Sequence, residues 1–348
     1  MEGSAVLDRQ SLALRASHLL TAGLFGAAAL FAMAAHLLGD TFYIRLATEA
    51  FIFGGLALSV DLLLGCTGLL SLGQAMYFGL GAYASALVLM SNGSFWAAVG
   101  AGAGVCLVSG TVFGLVALRV RGVYFALITF ALALVVAKLV YNTRALGGSD
   151  GLIGVPLVEI PLVFASTSTG NAPGFLLVAA LLMLTLYVVI ALLLGTPFGR
   201  MLVALRANEG RIAYLGYSVS RARMAVYVLA SVVAGVAGTL YPMLRGFTSP
   251  DLLYFGTSGN ALIAVIVGGV GTLTGAFWGS AILVLLKSIV GSYTTHHVIV
   301  IGTVFMLVVL FLPHGILALA RDRLVRRLGR ASVHRLSRLP VPSTGEGQ

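Results

Sequence analysis

Residues 196–223 read TPFGRMLVALRANEGRIAYLGYSVSRAR, and long apolar runs lie on both sides of them. The stretch carries Arg200, Arg206, Glu209, Arg211, Arg221 and Arg223, which makes it the most charged internal segment of a very apolar chain. Leu202, Leu205, Ala213 and Leu215 supply the apolar side of a short amphipathic helix lying beside a membrane. A loop this basic between two spans is expected to face the cytoplasm. Two readings are open. The segment is a docking handle for a soluble partner, or it is an ordinary loop whose arginines only set topology.

Composition agrees with spans on either side. Of the 348 residues, 59% are hydrophobic and only 9% charged. No soluble domain can bury that much apolar surface, so the chain reads as an all-α polytopic integral membrane protein. The net charge of +10 sits in short loops and a C-terminal tail. The positive-inside rule explains it better than nucleic-acid binding does. Cys66 and Cys106 lie far apart in apolar surroundings and read as small buried hydrophobes, not as a disulfide or metal pair. The N-terminal segment lacks a good cleavage signal, and the run after it reads as a first span over 16–38.

Further spans are expected at 46–65, 72–90, 95–118, 123–141, 175–194 and 224–244. A half-length span and a fuller one follow on either side of the glycine-rich GGVGTLTG, 268–275, and a last span covers 298–317. That gives ten crossings with both termini on one side, or eight or nine if 66–74 and 258–270 are re-entrant. Sixteen of the 21 Lys and Arg then fall on the cytoplasmic side, with only Arg45, Arg144 and Arg245 in outer loops. The long segment 142–173, containing Gly147, Gly148, Ser149 and Asp150, is the main outer loop, and loops of that length are often functional.

Within the spans, Asp61 is a functional candidate as an ionisable residue at membrane depth, unless it lies near the cytoplasmic end and is solvated there. Ser71, Gln74, Phe78, Gly81 and Ser85 share one helical face, which lines a path or lets a neighbouring helix approach closely. Gly68, Gly268, Gly269 and Gly271 mark the glycine-rich breaks. Gly271, Gly275 and Gly279 read as a ladder for helix packing. A phosphate loop at 268–275 is excluded because the lysine is missing and both flanks are apolar. His296 and His297 point apart on a helix and suit a wetted helix end better than a metal site. Ser71 and Ser149 lack the context of a nucleophile. No catalytic constellation and no nucleotide-binding motif is found, so ATP and magnesium, if used, belong to another chain.

Several stretches in one order resemble a known family. LLLGCTGLLSLGQAMYFGLGAYASALVL (62–89) is similar to the G-Y-x-G-x-L-S-L-G-H-x-x-F-F-G-x-G-A-Y stretch of branched-chain amino acid ABC transporter permeases. GGSDGLIGVP (147–156) resembles their T-G-G-x-x-G-L-x-G-I-P loop. The 196–223 stretch resembles their S-x-x-G-R-x-x-x-A-I-R-x-N-E-x-A-A-x-x-L-G handle, and VGGVGTLTGAFWGSAILVLL and VVLFLPHGIL also fit. The resemblance runs from about residue 45 to 320 and is closest to the LivM-type membrane subunit. Permeases for urea, amides and aromatic acids share the pattern.

The resemblance implies one transmembrane permease domain over 1–320, in a bacterial inner membrane, followed by a basic cytoplasmic tail at 321–348. The tail either rests on anionic lipid or is disordered. It also implies a second, related permease subunit as partner, two ATPase subunits carrying ATP and magnesium, and a periplasmic substrate-binding protein. Arg206, Asn208, Glu209, Ala213 and Gly216 match the coupling pattern of the handle. Gln74 replaces the usual His, Asp150 stands where Asn is common, and Gly210 and Arg211 replace small apolar residues. An ATPase-independent transporter or channel is the reading from another class; the charged handle and the scarcity of intramembrane acid–base pairs argue against it.

Overall fold

The computed structural model describes residues 23, 25, 26, 41–161, 166–207, 209–214, 216–293, 297–311, 315 and 316. The central element is α1 (Thr41–Thr67), a helix whose most apolar window is 89% buried. At 1.5 Å per residue its 27 residues exceed the ~30 Å hydrocarbon core of a bilayer. It starts earlier than the apolar run suggests, because nothing between Thr41 and Arg45 breaks a helix, and so Arg45 and Glu49 lie on it.

Helices α2 (Gln74–Met90), α3 (Phe95–Ala117), α4 (Val123–Asn142), α5 (Ala172–Gly195) and α8 (Val219–Arg245) follow in chain order. Between α5 and α8 lie the short α6 (Pro197–Ala207) and α7 (Glu209–Tyr214). The chain continues through α9 (Phe255–Gly268), α10 (Thr274–Tyr293) and α11 (His297–Phe311). Six of these helices, α1, α3, α4, α5, α8 and α10, are long and apolar enough to cross a membrane, while α2 and α9 are shorter. Apart from residues 23, 25 and 26, the expected first span lies outside the described residues, as does the tail. Only Phe25 bears on that span's packing, with its ring against Phe51 and Phe277 at 5.2 and 5.5 Å.

Burial separates inside from outside. α1 packs on α8, α10, α5 and α9, whereas α3 turns Leu107, Val108, Val112 and Leu115 outward. In water such a face would be anomalous; in a bilayer it meets a solvent as apolar as itself.

The two short helices start inside the bundle. After α1 the chain turns at Gly68 (φ 74°) and runs back without helix to Gln74, where Ser59 donates to the Gln74 side chain at 3.4 Å. Ser59 lies about two turns before the end of α1. The first turn of α2 then donates from Ala75 N to Ser258 Oγ of α9 at 2.9 Å. With 14 residues, α9 is about 21 Å long and cannot cross on its own.

The face Gln74–Phe78–Gly81–Ser85 is buried. Ser71 precedes the helix and joins it only through a 3.5 Å bond from the Gln74 amide. Ser85 donates to Thr239 O of α8 at 3.1 Å, and a side-chain carbon at Gly81 would run into Gly235 O. On α3, Gly102 meets Thr239 and Gly110 meets Ser231 in the same way. α8 is thus held between α2 and α3 by a seam of small residues. If the chain carries a solute, as the resemblance implies, Gly81→Leu should cut its uptake at least tenfold while inserted protein is still detected by blotting, and Gly81→Ala should lie in between. Wild-type uptake by the Leu variant would remove the seam from the mechanism.

At the end of the bundle away from α6, two antiparallel ribbons cover the helix ends. β1 (Leu152–Ile153) pairs with β4 (Phe247–Thr248), and β2 (Glu159–Pro161) with β3 (Ser166–Ser168). Arg245, expected in a loop, is the last residue of α8, which stops at Gly246 in the left-handed region (φ 76°).

Candidate functional site

The site lies where the amphipathic helix α6 meets the bundle. Gly199, Leu202 and Leu205 form its buried side. Pro197 starts it without losing a needed donor. The opposite side is open, with Val203 60% exposed; beyond the helix Tyr214 is 94% exposed. Arg206 leaves this exposed end and reaches inward, where its guanidinium donates to Gly65 O near the end of α1.

Gly65 is also where α1 meets the break between α9 and α10. A side-chain carbon at Gly65 would strike Gly271 and the Asp61 carboxylate, one turn earlier on α1. A carbon at Gly271 would lie 3.4 Å from Gly65 O and 3.5 Å from Arg206 Nη1. Gly68 packs under the aliphatic stem of Arg206. Three elements therefore converge: the amphipathic helix, the end of the central helix and the broken pair α9–α10.

Asp61 holds the break. It is fully buried, with one carboxylate oxygen accepting from Gly271 N at 2.6 Å and the other from Leu273 N at 2.8 Å. Leu273 has φ 55°, a conformation that costs a non-glycine residue and persists only where its surroundings impose it. Thr272 Oγ1 accepts from Gly275 N at 3.0 Å and satisfies the first turn of α10. Gly268 and Gly275 approach each other backbone to backbone, and Gly315 packs on Gly269. Gly271 (φ 81°) belongs to the break and not to a helix, so the expected ladder is reduced to Gly275 and Gly279, facing Gly268 and Ala264. Asp61 is neither solvated nor left facing lipid: its charge is spent on backbone donors that no helix satisfies.

Glu209 takes partners that sequence reasoning missed. It pairs with Arg223 at the start of α8 and with Arg121 in the α3–α4 turn at 3.6 Å. The Arg223 side chain is only 7% exposed, against 36% for Glu209. Arg206 and Glu209, three residues apart in sequence, fall in successive helices and bind different elements. Gly216 (φ 82°) stands just past α7, as expected of a helix stop. Asn208 and the side chain of Ala213 lie outside the described residues.

The remaining candidates lie elsewhere. Gly147, Gly148, Ser149 and Asp150 occupy the far end of the bundle. Gly147 and Gly148 have positive φ, and Ser149 donates to Asp150 at 3.0 Å. Backbone bonds from Gly154 N and Val155 N to Gly246 O tie this loop to the end of α8. Cys106 donates to Tyr77 O at 3.2 Å. Among the described residues no His, Cys, Asp or Glu cluster could hold a metal. His296 and the side chain of His297 are not among those residues.

A family model described as "Branched-chain amino acid transport system / permease component" matches residues 42–311, which include α6 and the whole junction. The chain belongs to this permease family. Among curated relatives, the high-affinity branched-chain amino acid transport system permease protein LivM of Salmonella typhimurium is 29% identical over 309 residues. That alignment covers 83% of this chain and 73% of the relative. LivH of the same organism is 24% identical over 277 residues, covering 75% and 90%. The autoinducer 2 import system permease protein LsrC of Klebsiella pneumoniae is 32% identical over 128 residues, covering 34% and 37%. The junction is thus a feature of a multi-pass permease.

Proposed function

We propose that this permease is one membrane subunit of an ATP-binding-cassette importer for branched-chain amino acids. It pairs with a second, related permease, as the separate similarities to LivM and LivH suggest. Two ATPase subunits bind the α6–α7 face, and a periplasmic binding protein delivers solute to the end formed by 142–173. The membrane is the bacterial inner membrane, with both termini and α6 on the cytoplasmic side. ATP and magnesium reside on the ATPases.

The carrying observation is that α6 joins an exposed face to a buried one. Val203 and Tyr214 are open to a partner, while Arg206 reaches Gly65 beside the break held by Asp61. A push on α6 is delivered to the end of α1 and to the α9–α10 break. Helices repacking between two discrete arrangements then give alternating access.

The test is reconstitution of the complete complex in vesicles. Leucine-loaded binding protein should stimulate ATP hydrolysis and leucine uptake together. A Cys placed at Ser168 should be labelled from the periplasmic side, and one placed at Ser218 should not. Leucine uptake by this chain without any ATPase, or the reversed labelling pattern, would overturn the reading.

A further inference from the structure

A cavity of about 620 Å³ opens at the end of the bundle opposite α6, between α1, α8, α9 and α10. Its size falls within the ~300–1,000 Å³ usual for small-molecule sites. Arg45, Glu49 and Phe53 of α1, Arg245 of α8, and Leu283 and Lys287 of α10 are on its wall. None of these belongs to the junction described above.

The charges are unbalanced. Three cations, Arg45, Arg245 and Lys287, face one carboxylate, Glu49. Arg245 Nη2 donates to Glu49 Oε2 at 2.6 Å. Among the described residues the other oxygen, Glu49 Oε1, has no donor, and Lys287 has no hydrogen-bonded or ion-paired partner. Lys287 faces the Glu49 carboxylate without forming an ion pair with it, and a charged residue within a membrane span marks a solute path by default. The cavity thus offers an ammonium with no hydrogen-bonded partner among the described residues, a carboxylate oxygen with no donor among them, and apolar wall in one space.

Part of the wall is apolar and packed by aromatic rings. Phe53 is stacked on Phe78 with centroids 5.6 Å apart, and Tyr241 meets it edge-on at 6.1 Å. Leu283 adds an aliphatic surface.

We infer that this cavity is a solute site for a zwitterionic aliphatic amino acid, with Lys287 and Arg245 receiving its carboxylate, Glu49 its ammonium, and the Phe53–Leu283 wall its side chain. The assignment rests on the importer reading above and adds to it a site within this chain, separate from any selection by a binding protein. A zwitterion adds one charge of each sign, so the net charge of the cavity is unchanged while its carboxylate sits by Lys287 and Arg245 and its ammonium by Glu49. The added ammonium completes Glu49 without displacing Arg245, since the carboxylate has two oxygens. An amine lacking the carboxylate leaves Lys287 unpaired, and a carboxylic acid lacking the amine leaves Glu49 Oε1 unpaired. Discrimination of this kind is strong because the site's buried polar groups are otherwise orphaned.

The experiment uses the full complex in vesicles with saturating leucine-loaded binding protein. Lys287→Gln should lower the maximal uptake rate at least tenfold, and Lys287→Arg should recover most of it. Size-exclusion profiles and subunit content of both variant complexes should match wild type, which excludes misassembly as the cause. Separately, a Cys at Ser288, another wall residue, should be alkylated more slowly when leucine is present, and leucinamide, which lacks the carboxylate, should give no protection. The same chain without the added Cys supplies the background from Cys66 and Cys106. Wild-type uptake by Lys287→Gln, or alkylation at 288 indifferent to leucine, overturns the site while leaving the importer reading intact. If the wild-type complex takes up no amino acid, both fall.

Discussion

In the importer complex proposed above, uptake with Asp61→Ala should fall at least tenfold, with the chain still inserted and ATP still hydrolysed. The carboxylate is the acceptor for two buried backbone donors, Gly271 N and Leu273 N. Removing it orphans both, at about 1–3 kcal/mol each. Every ~1.4 kcal/mol is a factor of ten in an equilibrium. A loss of that size falls on one packing of the break, so the balance between two states shifts by one to several decades. Asp61→Asn keeps the shape and one oxygen but turns an amide toward the second donor, so its uptake should lie between wild type and Ala. Arg206→Ala should also lose uptake, because Gly65 O then loses its donor. If the two residues serve one junction, the double variant should lose less than the product of the single losses. Vesicle uptake and size-exclusion profiles measure all of this. Asp61→Ala transporting normally would reduce the carboxylate to a packing detail.

The long spans were legible in the sequence for a simple reason. A lipid-facing helix such as α3 or α5 must be apolar over some twenty residues, and only a run of that length satisfies a bilayer. The amphipathic α6 was legible too, through Leu202 and Leu205 set against Arg200 and Arg206. The partners of the charged residues were not. Asp61 meets Leu273 across 212 residues of chain, Arg206 meets Gly65 across 141 and Arg245 meets Glu49 across 196. Such pairings depend on which helices end at the same depth, and composition does not encode depth. Arg223 was equally hidden. In the sequence it is one more arginine of a basic loop, but in the fold it is buried near the start of α8. The backward run from Gly68 to Gln74 shows the same limit. Glycine and serine announce a break, but only the Ser59–Gln74 and Ala75–Ser258 bonds reveal that the chain turns back into the bundle. The loop 142–173 had glycines that signalled turns, yet its pairing with 247–248 follows from α8 ending beside it.

Glu209→Arg should abolish substrate-stimulated ATP hydrolysis and uptake while the chain remains in the membrane, and its loss should exceed that of Val203→Ala several-fold. Two physical causes predict this single result, and the structure separates them. If Glu209 meets an ATPase, reversal sets like charges across a docked interface. If Glu209 is a clamp, reversal strands Arg223, whose Nε already lacks a partner, and adds a third cation beside Arg121. Breaking one side of a buried pair costs about 3–5 kcal/mol, and with Glu209 36% exposed the lower end applies. That loss would free α7 from the base of α8, so a push on α6 would be absorbed locally instead of reaching Gly65. The exchange Glu209→Arg with Arg223→Glu distinguishes the causes. A clamp is restored by it, and uptake should return to at least a third of wild type. An interface contact is not restored, because position 209 still presents the wrong sign to the partner. The geometry favours the clamp: Glu209 already has two cations of its own chain, while Val203 and Tyr214 stand open beside it. Full uptake by Glu209→Arg alone would overturn both causes and leave residues 196–223 as a loop that only sets topology.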